Sequence, residues 1–170
     1  MILAATGHRP EKLGGYFPNP LQEWLLQRLR EELTRLKPAS CVSGMALGWD
    51  QWFARTCCDL DIPWTAAIPC DGQESRWPED AQREYHALLR LADEVHVVSP
   101  GPYEAWKMTA RNVWMVENST HILACWNGSE GGTANCFRSA EARGRSVKDG
   151  TIILVQPKDM PKALGSEDPW

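Results

Sequence analysis

The chain has 170 residues, of which 43% are hydrophobic and 24% charged, and a formal net charge of -4. That length suits one domain with a sizeable core, and the acidic balance argues against a strongly cationic nucleic-acid surface. No apolar run reaches the roughly 18 residues that a membrane span needs.

Residues 2–6 read as a strand. The chain enters it without a basic n-region, so no signal peptide is expected, and a cytoplasmic location is. Residues 7–20 form a long loop with Gly14, Gly15, Pro18 and Pro20, a length often tied to function. Residues 21–36 are predicted helical, because Leu21, Trp24, Leu25, Leu29, Leu33 and Leu36 make one apolar stripe; Pro38 ends it. A strand at 39–43 leads into the turn Gly44-Met45-Ala46-Leu47-Gly48. The helix that follows carries Trp49, Trp52, Phe53, Cys57 and Leu60 on one side. Next come a strand at 63–68, a polar loop at 69–77 and a helix at 78–91. Pro78 suits that helix's first turn, and Ala81, Tyr85, Leu88, Leu89 and Ala92 form its stripe. A strand at 94–98, a turn at 99–102 and a helix at 103–118 come next. A strand at 121–126 runs into the glycine-rich loop 127–133, followed by a helix at 134–144. The last strand is 151–156, and 157–170 reads as a loose tail rich in proline and charge. Strands alternate with helices throughout. The fold class expected is α/β: one Rossmann-like domain over 1–156, with a mostly parallel sheet and helices on both faces.

Three strands end in glycine-bearing polar turns: Thr6-Gly7-His8-Arg9, Ser43-Gly44-Met45 with Gly48 and Asp50, and Gly131-Gly132-Thr133. In an open parallel sheet such turns share one edge, and ligands bind there. A strand, a glycine loop and a helix N-terminus together suit an anion. Gly131 and Gly132 would let the backbone approach a phosphate, and Thr133 would be the N-cap or first residue of its helix. Gly44, Met45 and Gly48 would let the second turn approach a sugar or phosphate. Met108, Arg111 and Met115 share a helix face with Asn112 close by, so Arg111 calls for a partner: a ligand anion, a structural carboxylate, or solvent reached by snorkelling. Asp50 could bond a ribose hydroxyl, although a helix cap is the simpler role. His8 and Arg9 could close over a ligand, or belong to a loop fixed by the Gly14-Gly15 turn. Trp126 could stack on a base, but a strand-end tryptophan favours packing. Six cysteines without a Cys-x-x-Cys pair suggest free thiols in a reducing compartment. Cys136 is a candidate nucleophile for its place at a helix start, yet no histidine pairs with it and an inert thiol is the simpler reading. The four histidines lack metal-ligand spacing, so no metal is expected.

Taken in order, Thr6-Gly-His-Arg-Pro10, Leu13-Gly-Gly-Tyr16, Ser43-Gly-Met-Ala-Leu-Gly48 with Asp50, Trp77, Tyr85, Asp93, Tyr103, Arg111-Asn112 with Met115, and Gly131-Gly-Thr133 resemble the YpsA-like branch of the SLOG superfamily. The resemblance runs from residue 3 to about 155. It implies a Rossmann-like fold with a nucleotide-type ligand at the strand ends; beyond a nucleotide or nucleotide derivative as ligand, no cofactor is indicated. The LOG enzymes of that superfamily split nucleoside 5'-monophosphates using a helical arginine, which Arg111 matches, and a glutamate whose place falls on Cys136. The resemblance therefore implies phosphate binding without supplying the hydrolytic carboxylate. The expected function is a binding or sensor module for a nucleotide or nucleotide-derived small molecule. A phosphoribohydrolase and a single-stranded DNA binder are the alternatives, the second disfavoured by the acidic charge. Nine tryptophans and the superfamily resemblance suggest a homodimer or larger assembly, with no membrane partner.

Overall fold

The computed structural model describes residues 1–162. Its elements are β1 (Ile2–Gly7), α1 (Pro20–Leu36), β2 (Ser40–Ser43), α2 (Trp49–Asp59), β3 (Trp64–Ile68), α3 (Glu79–Leu89), β4 (Glu94–Val97), α4 (Ala105–Glu117), β5 (His121–Cys125), α5 (Gly132–Glu141) and β6 (Ile152–Val155). All six strands pair in parallel, in the order β4-β3-β2-β1-β5-β6. The chain moves outward from β1 to β4, then returns to lay β5 against the other side of β1. That reversal opens a crevice beyond the ends of β1 and β5, the place where this topology leaves room for a ligand.

Local chemistry sets the element ends. Asn19 caps α1 by accepting from the Gln22 N–H at 3.0 Å, with Pro20 as first helical residue. Lys37 takes a left-handed conformation at φ 46°, and Pro38 cannot continue the helix. Asp93 holds the start of β3 by accepting from the Trp64 N–H at 2.9 Å.

Strand alternation divides the core in two. On one face Leu3, Ala5, Cys41, Trp64, Ala66, Ile68 and Leu123 pack against Leu25, Leu29 and Leu33 of α1, Trp49, Phe53 and Cys57 of α2, and Tyr85 and Leu88 of α3. On the other face Ala4, Val42, Ala67, Ile122 and Ala124 pack against Met115 and Val116 of α4 and Cys136, Phe137 and Ala140 of α5. Of the tryptophans, Trp49 and Trp64 are fully enclosed, whereas Trp106 is largely exposed. Trp126 packs on Phe137 with ring centroids 4.7 Å apart, and its indole N–H donates to the Ser129 carbonyl at 2.7 Å. It is a packing residue and does not line the crevice. The six cysteines are free thiols. After β6 the chain makes a short 3-10 turn at Pro157–Asp159, so the segment expected to be loose begins with local structure. Residues 163–170 of that segment lie outside the described residues.

Gly7 marks where the sheet meets α2. A Cβ there would stand 2.4 Å from two ring atoms of Trp49, itself 0% exposed. Gly7→Ala should therefore destabilise the fold by about 1–3 kcal/mol through overpacking. Denaturant unfolding should show a lower midpoint at unchanged slope; an unchanged midpoint would mean the indole moves aside freely.

Candidate functional site

The crevice at the reversal is a cavity of about 1000 Å³. Its floor is the guanidinium of Arg111, carried by α4 and only 5% exposed. One Nη donates to the Gly44 carbonyl, and Nε donates to Asn112 Oδ1 at 3.1 Å. Among the described residues the other Nη has no acceptor, and no carboxylate forms an ion pair with the group. Burial pulls the guanidinium's pKa down, while the nearby Asp50 pushes it back up. Arg111 has not snorkelled to solvent; it ends inside the molecule with donors to spare.

The start of α5 faces the same space. Gly131 is the N-cap at φ 140°, which requires glycine, Gly132 is the first helical residue and Thr133 the second. Thr133 is thus one position later than the N-cap or first-residue place expected for it, because Gly131 ends the loop. Its hydroxyl has no protein partner among the described residues. A Cβ at Gly131 or Gly132 would meet nothing within 4 Å, so this backbone lies bare to the cavity. The first N–H groups of a helix lack intrahelical acceptors and carry the positive end of its dipole. Asn112 couples the two halves: its Nδ2 donates to the Gly132 carbonyl at 3.3 Å and to Asn135 Oδ1 at 3.2 Å, while its Oδ1 holds Arg111.

The end of β1 and the turn after it supply Thr6, Gly7, His8 and Arg9 to the lining. His8 Nε2 lies 2.8 Å from Asn127 Oδ1 and 3.1 Å from Asn127 N, so His8 is tied to the loop after β5 rather than to the Gly14-Gly15 turn. Burial, the larger effect, and the nearby Lys12 hold its imidazole below the usual pKa against the Asn127 bond. Lys12 makes a second tie by donating to Ser129 Oγ at 2.7 Å. Arg9 is exposed and has no protein acceptor among the described residues, yet it is near enough to shift both Asp50 and Arg111.

Ten of the fourteen residues expected at the site line the cavity: Thr6, Gly7, His8, Arg9, Asp50, Arg111, Asn112, Gly131, Gly132 and Thr133. Ser43, Gly44, Met45 and Gly48 do not; they stand behind it. Ser43 Oγ donates to the Asp50 carbonyl at 2.7 Å and accepts from the Met45 N–H at 3.2 Å. Met45 is fully buried core at φ 59°. A Cβ on Gly44 would fall 2.5 Å from Arg111 Nη1, and one on Gly48 would fall 2.8 Å from the His8 carbonyl. These two glycines make room for the protein's own arginine and backbone, not for a ligand. Asp50 does not cap α2, whose N-cap is Gly48. Instead its carboxylate accepts from the Ala46 N–H at 3.4 Å and sits near Arg111.

The polar loop after β3 and the turn after β4 were not expected to contribute. They bring Gln73, Ser75, Arg76, Trp77 and Tyr103 into the lining. The rule applied to the other three turns, that all parallel strands end at one edge, would have found them.

Cys136 is 0% exposed. Burial pushes its thiol up to about 11, against the opposing contacts of Thr6 and Arg111. Buried and held toward its neutral form, it lacks the exposed thiolate on which cysteine reactivity depends.

Asp50 makes the stability of the site depend on pH. Burial raises its carboxyl from 3.8 to about 6, with Arg111 and the Ala46 N–H opposing. The folded state therefore holds the proton more tightly than the unfolded chain. The stability from this group is complete below pH 3.8 and is lost as the pH rises through about 6. Asp50→Asn keeps a neutral group at every pH. It should raise unfolding free energy above pH 6 by on the order of 2–3 kcal/mol, with little effect at pH 3.5. Equal effects at both pH values would mean the buried charge is not the cause.

The family model described as the YspA SLOG family matches residues 3–160. The SPbeta prophage-derived protein YoqJ of Bacillus subtilis (strain 168) is 30% identical over 138 residues, covering 71% of this chain and 80% of its own. A UPF0398 protein of Bacillus pumilus is 27% identical over 180 residues, covering 99% of this chain and 95% of its own. DNA processing protein A from Helicobacter pylori, described for its single-stranded DNA binding mode, has a TM-score of 0.64 at 17% identity, covering 97% of this chain and 67% of its own. The molybdenum cofactor binding protein from Rippkaea orientalis has a TM-score of 0.57 at 16% identity, covering 91% and 76%. The two solved structures share the fold, and the family match over almost the whole chain means that this protein belongs to the YspA SLOG family.

Proposed function

We propose that this protein is a binding module for a nucleotide or nucleotide-derived ligand, held through its phosphate at the C-terminal edge of the sheet. The observation that carries the reading is Arg111: a guanidinium 5% exposed which, among the described residues, has a free Nη and no paired carboxylate, in the same cavity as the bare start of α5. Keeping a charge inside a fold is costly unless it is paired. A phosphate dianion supplies the missing partner, and the N–H groups of α5 supply the rest of its coordination. Arg9 and Arg76 add positive charge to the lining, whereas two of its carboxylates are engaged: Glu130 with Arg138, and Glu11 with the Tyr16 hydroxyl. Solved relatives of the fold described as binding single-stranded DNA or a molybdenum cofactor support a binding role in general. The net charge of -4 and the concave form of the site favour a small anion over a nucleic acid. Cys136, a neutral thiol where the LOG enzymes carry a glutamate, supports binding without hydrolysis.

Arg111→Ala should weaken binding of a nucleoside monophosphate by on the order of 1.5–3 kcal/mol, the scale of a charge-assisted hydrogen bond. Gly132→Val should block it outright while the fold persists, since a side chain there enters open space. Calorimetry on both variants, with circular dichroism as the check on folding, decides the matter. Unchanged affinity in both would remove the proposed site.

We also propose that the protein self-associates as a homodimer or larger assembly. Trp106 at 56% exposed and Leu91 at 59% offer apolar surface that one small core leaves uncovered. Light scattering should give at least twice the chain mass; a monomeric mass would refute it.

A further inference from the structure

The phosphate reading accounts for the floor of the cavity but not for its size. A volume of about 1000 Å³ is at the upper end of what small-molecule sites enclose and far exceeds one phosphate. The remaining wall comes from the loops after β3 and β4. Trp77 is half-buried and stands at 86° to Tyr85, with ring centroids 5.3 Å apart. Its indole N–H has no acceptor among the described residues. Tyr103, 62% exposed, lines the same space from the other loop.

This wall is held before any ligand arrives. Asp71 and Gly101 exchange two hydrogen bonds, Asp71 N–H to the Gly101 carbonyl at 3.0 Å and Gly101 N–H to Asp71 Oδ2 at 2.8 Å. The Lys107 ammonium, 3% exposed, donates to the carbonyls of Pro100 and Pro102 at 3.0 and 2.8 Å. The Gln82 amide donates to the Trp77 carbonyl at 2.9 Å. Aromatic side chains on loops held in this way, beside a buried guanidinium, suit a ligand with a flat ring at one end and an anion at the other.

We propose that Trp77 and Tyr103 form a subsite for a planar heteroaromatic ring, so that the ligand is a nucleotide with its base intact rather than a sugar phosphate or a free inorganic anion. The proposal rests on the phosphate reading of Arg111 and sets the ligand's direction: phosphate toward α5, base toward the loops after β3 and β4. Stacking tolerates either purine or pyrimidine, because every base offers a π face.

The test titrates the full chain with a panel of nucleoside monophosphates, the matching nucleosides and ribose 5-phosphate. Wild-type protein should bind at least one nucleoside monophosphate roughly tenfold or more tightly than ribose 5-phosphate, the scale of one base stacked on an aromatic ring. Trp77→Leu should bring that ratio to near one with ribose 5-phosphate affinity unchanged. Tyr103→Ala, at an exposed position that the fold does not depend on, should lower the ratio in the same direction. Arg111→Ala should weaken nucleotide and ribose 5-phosphate alike and spare any nucleoside binding. A ratio near one in wild type, no binding of any nucleotide or nucleoside, or a ratio that survives in both aromatic variants would overturn the ring subsite. Failure of the phosphate reading looks different: ribose 5-phosphate would not bind, or would bind Arg111→Ala as well as wild type.

Discussion

A single buried guanidinium sets the demands that the rest of the site meets. Arg111 has left water, and a charge so placed must be compensated from within. The compensation comes from parts far apart in sequence. The Gly44 carbonyl, just past the end of β2, accepts from one Nη, and Asn112 Oδ1 accepts from Nε. Asp50 supplies an opposite charge at longer range, but its own burial raises it to about 6, so that contribution fades as the pH falls below about 6. Gly44 cannot carry a side chain because the guanidinium occupies the space. The turn after β2 is therefore best understood as the seat of the arginine.

The surrounding loops are fastened across the crevice in pairs. His8 and Lys12 bind the turn after β1 to the loop after β5 through Asn127 and Ser129. Asn112 binds α4 to the start of α5. Gln73 reaches from the loop after β3 to the Gly44 carbonyl at 3.4 Å, the same oxygen that holds Arg111. Each tie joins segments on different strands, so the edge of the sheet acts as one frame around the cavity.

Much of this was legible in the residues. Alternating strands and helices gave the parallel α/β architecture, because apolar stripes at helical spacing and short apolar runs between glycine and proline are strong signals. The face shared by Met108, Arg111 and Met115 marked the buried arginine, since a charge on an apolar stripe demands an explanation. Glycine was harder to interpret. Gly131 and Gly132 open onto the cavity, whereas Gly44 and Gly48 yield to Arg111 and His8. Composition cannot tell these cases apart, since the neighbour that needs the space lies 67 residues away for Gly44 and Arg111. Lys107 was missed for a similar reason. Two carbonyls from a proline-rich turn satisfy its ammonium, and backbone acceptors leave no mark in a side-chain pattern.

The contact between Gly7 and Trp49 has a consequence for how such a chain can drift. The indole lies where a Cβ on residue 7 would be, and its N–H reaches back to the Leu123 carbonyl of the neighbouring strand at 3.5 Å. Position 7 has no independent freedom while an indole fills position 49. A smaller residue at 49 would release it, at the cost of a void between α2 and the sheet. Substitution at these two sites is thus ordered in time: the large ring must shrink before the glycine can grow. Lineages that took the steps in the other order would pass through a chain that packs poorly at the crevice itself.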